Sequence, residues 1–428
     1  MRKTKYFAPT RDCGADAELQ NARLLSPGLV RYTTLAVLFW LALYLGNYLT
    51  VFLQALGFSS SVIGYVNSAA AATGMLGSFA AGRISDRLKT VKWVCIAVLA
   101  LTGISFLLFP LSTKVVVHGV SLALLWWPMA CLFRSPVSSL VENWIVRGSY
   151  SERFNYGIAR AGGSIGSCVS SILASVLVTA LYAVMNRIDA IAVTYYVSGG
   201  LMLLCALYAL TVHDVQAEEK QVRPEQLKLR KLFSNYYFVV LLAFNFLLNI
   251  CINPPFVFLT YILSESGIDT AKLGMIIGWE ALLELPLLFL LNFLRRKYPL
   301  YTLLIASGAL FAVTAFGQGI SRSLAALLVF GVFFGFANSL NFSCGFNYIY
   351  YIAPEELRAT AHTMYTIAGA LGIIAGNLFA GVLIDSIGVR TAYMLFAAAT
   401  LLVSVLYVFS FPIGSSLLKQ PLPVCKGE

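Results

Sequence analysis

HDVQAEEKQVRPEQLKLRKLFSNYY, residues 213–237, is the longest polar interruption in the sequence, and what flanks it decides the fold. Six apolar runs of about twenty residues precede it and six follow, bounded by Gly, Pro and charged residues. A helix rises ~1.5 Å per residue, so each run is long enough to cross the ~30 Å hydrocarbon core of a bilayer. The runs fall near 29–55, 60–82, 92–112, 116–147, 157–182, 191–212, 237–262, 272–294, 299–319, 323–352, 359–385 and 391–413. An all-α integral membrane protein is expected, with twelve transmembrane helices in two pseudo-symmetric six-helix bundles. Its parts are then a tail (1–28), a first domain (29–212), a central loop (213–236), a second domain (237–413) and a second tail (414–428).

Hydrophobic residues make up 59% of the 428 and charged residues 11%, with a mean hydropathy of +0.80. In a soluble protein a net charge of +11 would point to nucleic acid, but here the placement of the charge decides. With both ends cytoplasmic, the inner segments hold 23 of the 30 Lys and Arg, while the outer loops hold Lys114, Arg187, Lys272, Arg322 and Arg390. That asymmetry sets the expected placement: multi-pass in the cytoplasmic membrane, both termini in the cytoplasm. The first run, Val30 to Gly57, is too long for a signal-peptide core and has no small-residue cleavage pattern behind it, so it is expected to stay as helix one. Eight cysteines are scattered without a C-x-x-C pair, mostly in apolar runs where cysteine acts as a small hydrophobe. Neither a disulfide framework, a metal site nor a cofactor is expected beyond a coupling proton. The expected partners are the lipid bilayer and a small-molecule substrate, with no nucleic acid, and the chain is expected to work as a monomer.

An even split invites a search for an internal repeat. IGYVNSAAAATGMLGSFAAGRISDRLK (63–89) aligns with LGMIIGWEALLELPLLFLLNFLRRKYP (273–299) at a shift of 210, with Gly64 on Gly274 and a basic turn on a basic turn. Two such halves around a pseudo-two-fold axis bind solute between them at mid-membrane, each half rocking to open one side.

GRISDR, from Gly82 to Arg87, resembles the signature loop between helices two and three of the major facilitator superfamily. There the glycine permits close packing and an aspartate–arginine pair, here Asp86 and Arg87, latches the cytoplasmic gate; Lys89 stands where the pattern has a second glycine. FNYGIARAGGSIG (154–166) and FNYIYYIAPEELRATAHTMYTIAGALGIIAGNLFAGVLIDSIGVRTAYML (346–395) resemble the branch of oligosaccharide–, nucleoside– and phenylpropionate–proton symporters. The resemblance implies an arginine–glutamate pair at Arg160 and Glu142. One departure matters: lactose-permease-like members carry a lysine, a histidine and a glutamate of the proton machinery in helix ten, where this chain has Gly331, Phe334 and Ala337. That relay does not carry over, and lactose is not the expected substrate.

Each ionised side chain near a helix centre costs ~2.5–3.5 kcal/mol on insertion scales, so those in the spans need partners, water or neutralisation. They are Arg134, Glu142, Arg160, Glu280 and Glu284. Glu142 and Arg160 stand nine residues either side of Ser151, the middle of the loop between helices four and five. At ~1.5 Å per residue both lie ~13 Å deep, so they can meet. Such a pair neutralises itself and leaves donors and acceptors for hydroxyls or a carboxylate. Arg134, Ser135, Ser138 and Glu142 share one face of helix four, and Arg160, Ser164, Ser167 and Ser171 one face of helix five, stripes that suit a wet cavity. A structural clasp with small-residue packing is the alternative, although ionisable residues inside a membrane favour the substrate role.

Helix eight presents Glu280 and Glu284 one turn apart, then Pro286, with no Lys or Arg in the later spans to neutralise them. Two close carboxylates in a low dielectric cannot both ionise cheaply, so at least one is expected to hold a proton near neutral pH, as coupling requires. Glu284 is the first choice, because the related permeases carry a similar Glu-x-Pro there, and Glu280 the second. A permanently protonated glutamate bonded to a neighbouring helix is the structural alternative. Helix seven carries Asn245, Asn249 and Asn253 on one face, then Pro254–Pro255, which must break or bend it. These amides either line water and ligand or clamp a neighbour, with Asn338, Asn341 and Asn347 of helix ten placed to face them. Asn47, Tyr44 and Tyr48 on helix one and Trp126–Trp127 on helix four offer hydrogen bonds and a stacking surface, though such aromatics more often pack. His362 reads as a helix-end residue rather than a ligand.

The expected substrate set is therefore Glu142, Arg160, Arg134, Asn47, Asn245, Asn249 and Asn341, with Glu284 and Glu280 for the proton and Gly82, Asp86 and Arg87 for gating. Inward proton symport of a sugar, nucleoside or aromatic acid is the expected function, and proton-coupled drug efflux the alternative. No H-E-x-x-H or His/Cys cluster points to an enzyme, and a channel does not need a two-half repeat.

Overall fold

The computed structural model describes residues 26–117, 119–214, 229–354 and 357–416; most of both expected tails and of the central loop lies outside them. The first half forms α1 (Pro27–Leu45), α2 (Leu49–Ala55), α3 (Ser60–Leu88), α4 (Lys92–Ser112), α5 (Leu122–Glu152), α6 (Tyr156–Leu181) and α7 (Arg187–Thr211). Past the short α8 (Leu229–Phe233) come α9 (Tyr236–Val257), α10 (Leu259–Glu265), α11 (Leu273–Lys297), α12 (Leu300–Ile320), α13 (Leu324–Ile352), α14 (Arg358–Ile387) and α15 (Val389–Ser416). Among the described residues nine helical segments are long and apolar enough to cross a membrane. The remaining long helices, α3, α5 and α11, have 29, 31 and 25 residues and carry charged or polar side chains. They pack on one another and on the nine, α3 against α5 and α14, and α11 against α6 and α13. Side chains cap several starts: Ser59, Asn155, Asn186 and Asn235 each accept a backbone N–H of the helix that follows.

Several expected boundaries are corrected by tertiary contacts that periodicity does not report. Helix one is interrupted at Gly46–Asn47–Tyr48 rather than running on to 55. Tyr48 Oη donates to Ala271 O and accepts from Gly274 N, both at 3.1 Å, so an anchor to the other half replaces the local ladder. Helix four begins at Leu122, not 116, because Val116–Val117 pairs with Val120–Ser121 in a hairpin whose Gly119 has φ +81°. The same helix runs to Glu152, so Ser151 is helical and the turn is centred on Arg153 and Phe154. Helix two runs to Leu88, which places Gly82, Asp86 and Arg87 in its last turns rather than in a loop. Pro254 and Pro255 leave α9 helical to Val257; the break comes at Phe258, whose N–H bonds to Pro254 O at 2.9 Å.

Buried side chains divide into three clusters, and their placement fixes the shape of the site. One is shared by both halves, with Phe52, Ile63, Trp127 and Val178 against Phe258, Ile276, Ala380 and Tyr393. Two others stay within one half each, around Tyr32, Phe39, Trp144 and Phe154 in the first, and around Phe238, Phe244, Tyr348 and Tyr407 in the second. The halves are thus joined at one end and parted at the end where α1 begins and α15 finishes. The join is backbone on backbone, and it is pseudo-symmetric. A Cβ at Gly64 of α3 would come 2.5 Å from Asn377 O of α14, and one at Gly274 of α11 would overlap Ser171 O of α6. The residues aligned by the 210-residue shift therefore do the same job in each half.

Candidate functional site

Two adjoining cavities lie where the core forks. The larger, about 470 Å³, is walled by Asn245, Asn249 and Asn253 of α9, Glu280 and Glu284 of α11, Asn338 and Asn341 of α13, and Tyr44 and Tyr365. The smaller, about 230 Å³, lies among Asn47, Asn67, Trp127, Arg134, Ser135 and Asn377. Asn253, Phe256, Ile277 and Ile373 line both, so the two share a wall.

Glu142 and Arg160 meet across the α5–α6 hairpin, with Nε 2.9 Å from Oε1. Tyr156 Oη donates to the other carboxylate oxygen at 2.8 Å, Arg160 Nη1 donates to Ser164 at 3.4 Å, and the guanidinium lies 5.3 Å from the Trp40 ring centre. At 36% exposure for Arg160 and 24% for Glu142, the pair sits on the open side of the fork rather than in the wall of either cavity. Tyr156 stands four residues before Arg160, a helical spacing that could have revealed it. Trp40 comes from another helix and left no such signal.

Glu284 Oε1 accepts from Asn338 Nδ2 at 2.6 Å. Glu280 is 2% exposed, with Oε1 3.5 Å from Gln318 Nε2 and Oε2 without a hydrogen-bond partner among the described residues. Helix ten makes room for it: a Cβ at Gly331 would come 3.2 Å from Glu280 Cγ, and one at Gly335 2.7 Å from Glu280 O. Where the resembling branch has a helix-ten lysine, this chain has the glycine that admits a helix-eight glutamate. Tyr44 lines the same cavity as Glu284.

The amides divide between clamping and lining. Asn245 Nδ2 donates to Tyr365 O at 2.8 Å and Asn249 Nδ2 to Asn245 O at 2.8 Å, so both tie α9 to itself and to α14 while facing the cavity. Asn253 and Asn341 each keep a buried Oδ1 with no partner among the described residues. Asn347 does not face the other amides; it accepts from Arg295 at 2.9 Å. Ser167 and Ser171 are buried and bond to carbonyls of their own helix where α11 packs closely, so the wet stripe expected of α6 stops near Ser164. Trp126 donates to Ser105 O, and Trp127 stacks on Phe106 at 5.6 Å with its other face toward Arg134 at 5.9 Å. His362 stacks on Phe346 at 4.4 Å near the start of α14.

At the parted end Gly82 has open space where a Cβ would point, and Asp86 and Arg87 are exposed, so the close packing implied for this glycine is absent in this conformation. The joined end holds two clasps that composition did not reveal. Asp385 of α14 accepts from the backbone N–H groups of Ser60 and Ser61 at 3.2 and 2.8 Å and from both hydroxyls, capping α3 of the other half. Arg390 bonds Glu265, Ser266, Gly319 O and Ser321 O within the second half.

Two helical bundles joined at one end and parted at the other, around polar cavities with buried ionisable groups, are the build of a membrane solute transporter. Residues 36–395 match the model of the MFS_1 like family, and the chain belongs to that family of major-facilitator-type transporters. It is 24% identical over 326 residues to the uncharacterized transporter YwbF of Bacillus subtilis (strain 168), covering 74% of this chain and 76% of that one. Among solved structures it is similar to a mutant form of the nucleoside transporter NupG, with a TM-score of 0.77 at 16% identity over 89% of this chain and 100% of that one. The D-xylose–proton symporter gives 0.66 at 14% identity over 89% and 96%. These structures share the fold. The relatives are transporters, not enzymes.

Proposed function

We propose that the protein carries a small polar or aromatic solute, of the sugar, nucleoside or aromatic acid class, inward across the cytoplasmic membrane by proton symport. Both termini are cytoplasmic in this reading, the chain works as a monomer, and the parted end opens to the cytoplasm. The observation that carries it is the pairing of an amide-lined cavity with two helix-eight carboxyls in its wall, Glu284 bonded to Asn338 and Glu280 buried beside Gln318. Glu284 takes the proton, with Glu280 behind it; Arg160, Glu142, Arg134, Asn47, Asn245, Asn249 and Asn341 meet the solute. Gly82, Asp86 and Arg87 close the parted end once the shared core opens.

Reconstituted protein screened with labelled sugars, nucleosides and aromatic acids tests this. Accumulation above equilibrium is expected for one class when the outside is acid, and loss of that accumulation when the gradient is collapsed. Accumulation that ignores the pH gradient, or that runs outward with protons moving in, contradicts it.

A further inference from the structure

Among the described residues, Arg134 is the intramembrane charge whose neighbours do not account for it. Glu142 and Arg160 neutralise each other, Glu284 has Asn338, and Glu280, whose Oε2 is also unpartnered among those residues, is a carboxyl that a proton can neutralise. The ion pairs among the described residues are Glu142–Arg160 and Glu265–Arg390, and neither involves Arg134. Its Nε is buried with no hydrogen-bond partner among those residues. Arginine remains charged at any working pH, so the charge cannot be relieved by losing a proton.

The surroundings position this cation instead of cancelling it. Trp127 lies 5.9 Å from the guanidinium carbon, and that ring is itself fixed by Phe106, Phe109 and Tyr195 at 4.9 to 5.8 Å. Among the described residues the smaller cavity beside it has a largely apolar wall whose polar groups, besides Arg134 itself and the Cys131 thiol, are amides and hydroxyls and include no carboxylate, so no charge there repels an anion. Asn253 and Asn377 each direct a buried, unpartnered Oδ1 near this space, acceptors suited to hydroxyls next to an acid group.

We propose that Arg134 is the anion site of this transporter: the carboxylate of a monoanionic solute docks on its guanidinium in the smaller cavity, and the solute's ring or hydroxylated body extends into the larger one. This rests on the transport reading above and narrows its substrate to an acid. A single guanidinium balances one carboxylate, whereas a phosphomonoester, at about −1.5 to −2 near neutral pH, would leave surplus charge buried. The arrangement also links the two cargoes. Glu284 lines the larger cavity and Arg134 the smaller, and the two cavities share a wall at Asn253, Phe256, Ile277 and Ile373, so the charges flank one low-dielectric space. An anion entering beside Arg134 favours a proton on Glu284, and a proton on Glu284 favours the anion, which makes the loaded site electroneutral at one proton per solute.

Thermal unfolding of the purified full chain reads this without a pH gradient, so the site is tested apart from proton coupling. The probes are benzoate, cyclohexanecarboxylate and D-glucuronate, each against its neutral counterpart benzyl alcohol, cyclohexylmethanol or D-glucose, with phenyl phosphate as a further arm. At least one carboxylate is expected to raise the midpoint of the wild type while its neutral counterpart does not. Arg134→Gln is expected to weaken that carboxylate on the order of 100-fold. Arg134→Lys keeps the charge without the planar fork and is expected to weaken it about 10-fold while still rejecting the neutral probe. The proposal is overturned if no carboxylate shifts the wild type, if neutral probes shift it equally, if phenyl phosphate shifts it more, or if either variant responds as the wild type does.

Discussion

Arg160 holds Glu142 through Nε at 2.9 Å while Tyr156 donates to the other oxygen, so the carboxylate keeps one donor when the guanidinium is removed. Breaking a fully buried ion pair costs ~3–5 kcal/mol, but this one is partly exposed and the loss to folding is smaller. Arg160→Ala is therefore expected to insert at close to normal abundance yet lose transport by about 100-fold, since the charge on the open side of the fork is gone. Uptake per unit of membrane protein checks this, and wild-type uptake would reduce the pair to a clasp. The pair was legible in the sequence because both residues sit on one hairpin, although the turn centres on Arg153 and Phe154 rather than Ser151, so counting equal depths from Ser151 misplaced them: Glu142 lies deeper in its helix than Arg160 does. Trp40 was not legible, since its contact with Arg160 comes from a separate helix. The amides show the same limit. Spacing put Asn245, Asn249 and Asn253 on one face, but only the position of α14 decides that Asn245 clamps Tyr365 O while Asn253 keeps a free oxygen.

Helices α3 and α14, and α6 and α11, touch through glycine at the joined end, so their approach is set by missing side chains rather than by added ones. A Cβ at Gly381 would overlap Ser60 O, beside the cap that Asp385 places on Ser60 and Ser61. Backbone cannot move aside as a flexible side chain can, so Gly381→Val is expected to drive the halves apart at this end. Spin labels at Val184 and Arg322, exposed on opposite halves, are expected to report a longer distance in the variant than in the wild type. An unchanged distribution would mean that the contact does not hold the state. Apolar runs and punctuation revealed the long helices, and the faint 210-residue repeat located Gly64 and Gly274, because hydropathy register survives when identity does not. Their interruptions were less legible. The break at Gly46–Tyr48 depends on Tyr48 reaching Ala271 and Gly274 in the other half, which no local pattern encodes. The prolines at 254 and 255 signalled a break in helix seven but not its site at Phe258, because a missing N–H frees carbonyls of the preceding turn without ending the helix at once.

The core is forked: one shared cluster closes one end, and two separate clusters leave the other parted. In the proposed cycle the shared cluster opens as the ends carrying Gly82, Asp86 and Arg87 close, and the solute and proton are exposed to each side in turn. Coupling requires that the empty carrier return only after its proton has left. In this proposal Glu284, in the cavity wall and bonded to Asn338, is the group that releases it. Glu284→Gln fixes the neutral form, and the measurement that tests the account most directly compares two activities of that variant in proteoliposomes. Accumulation driven by a pH gradient is expected to vanish, while exchange of labelled for unlabelled solute, which needs no deprotonation, is expected to continue near the wild-type rate. Retained gradient-driven accumulation, or loss of both activities together in a normally folded variant, would contradict proton coupling at this carboxyl.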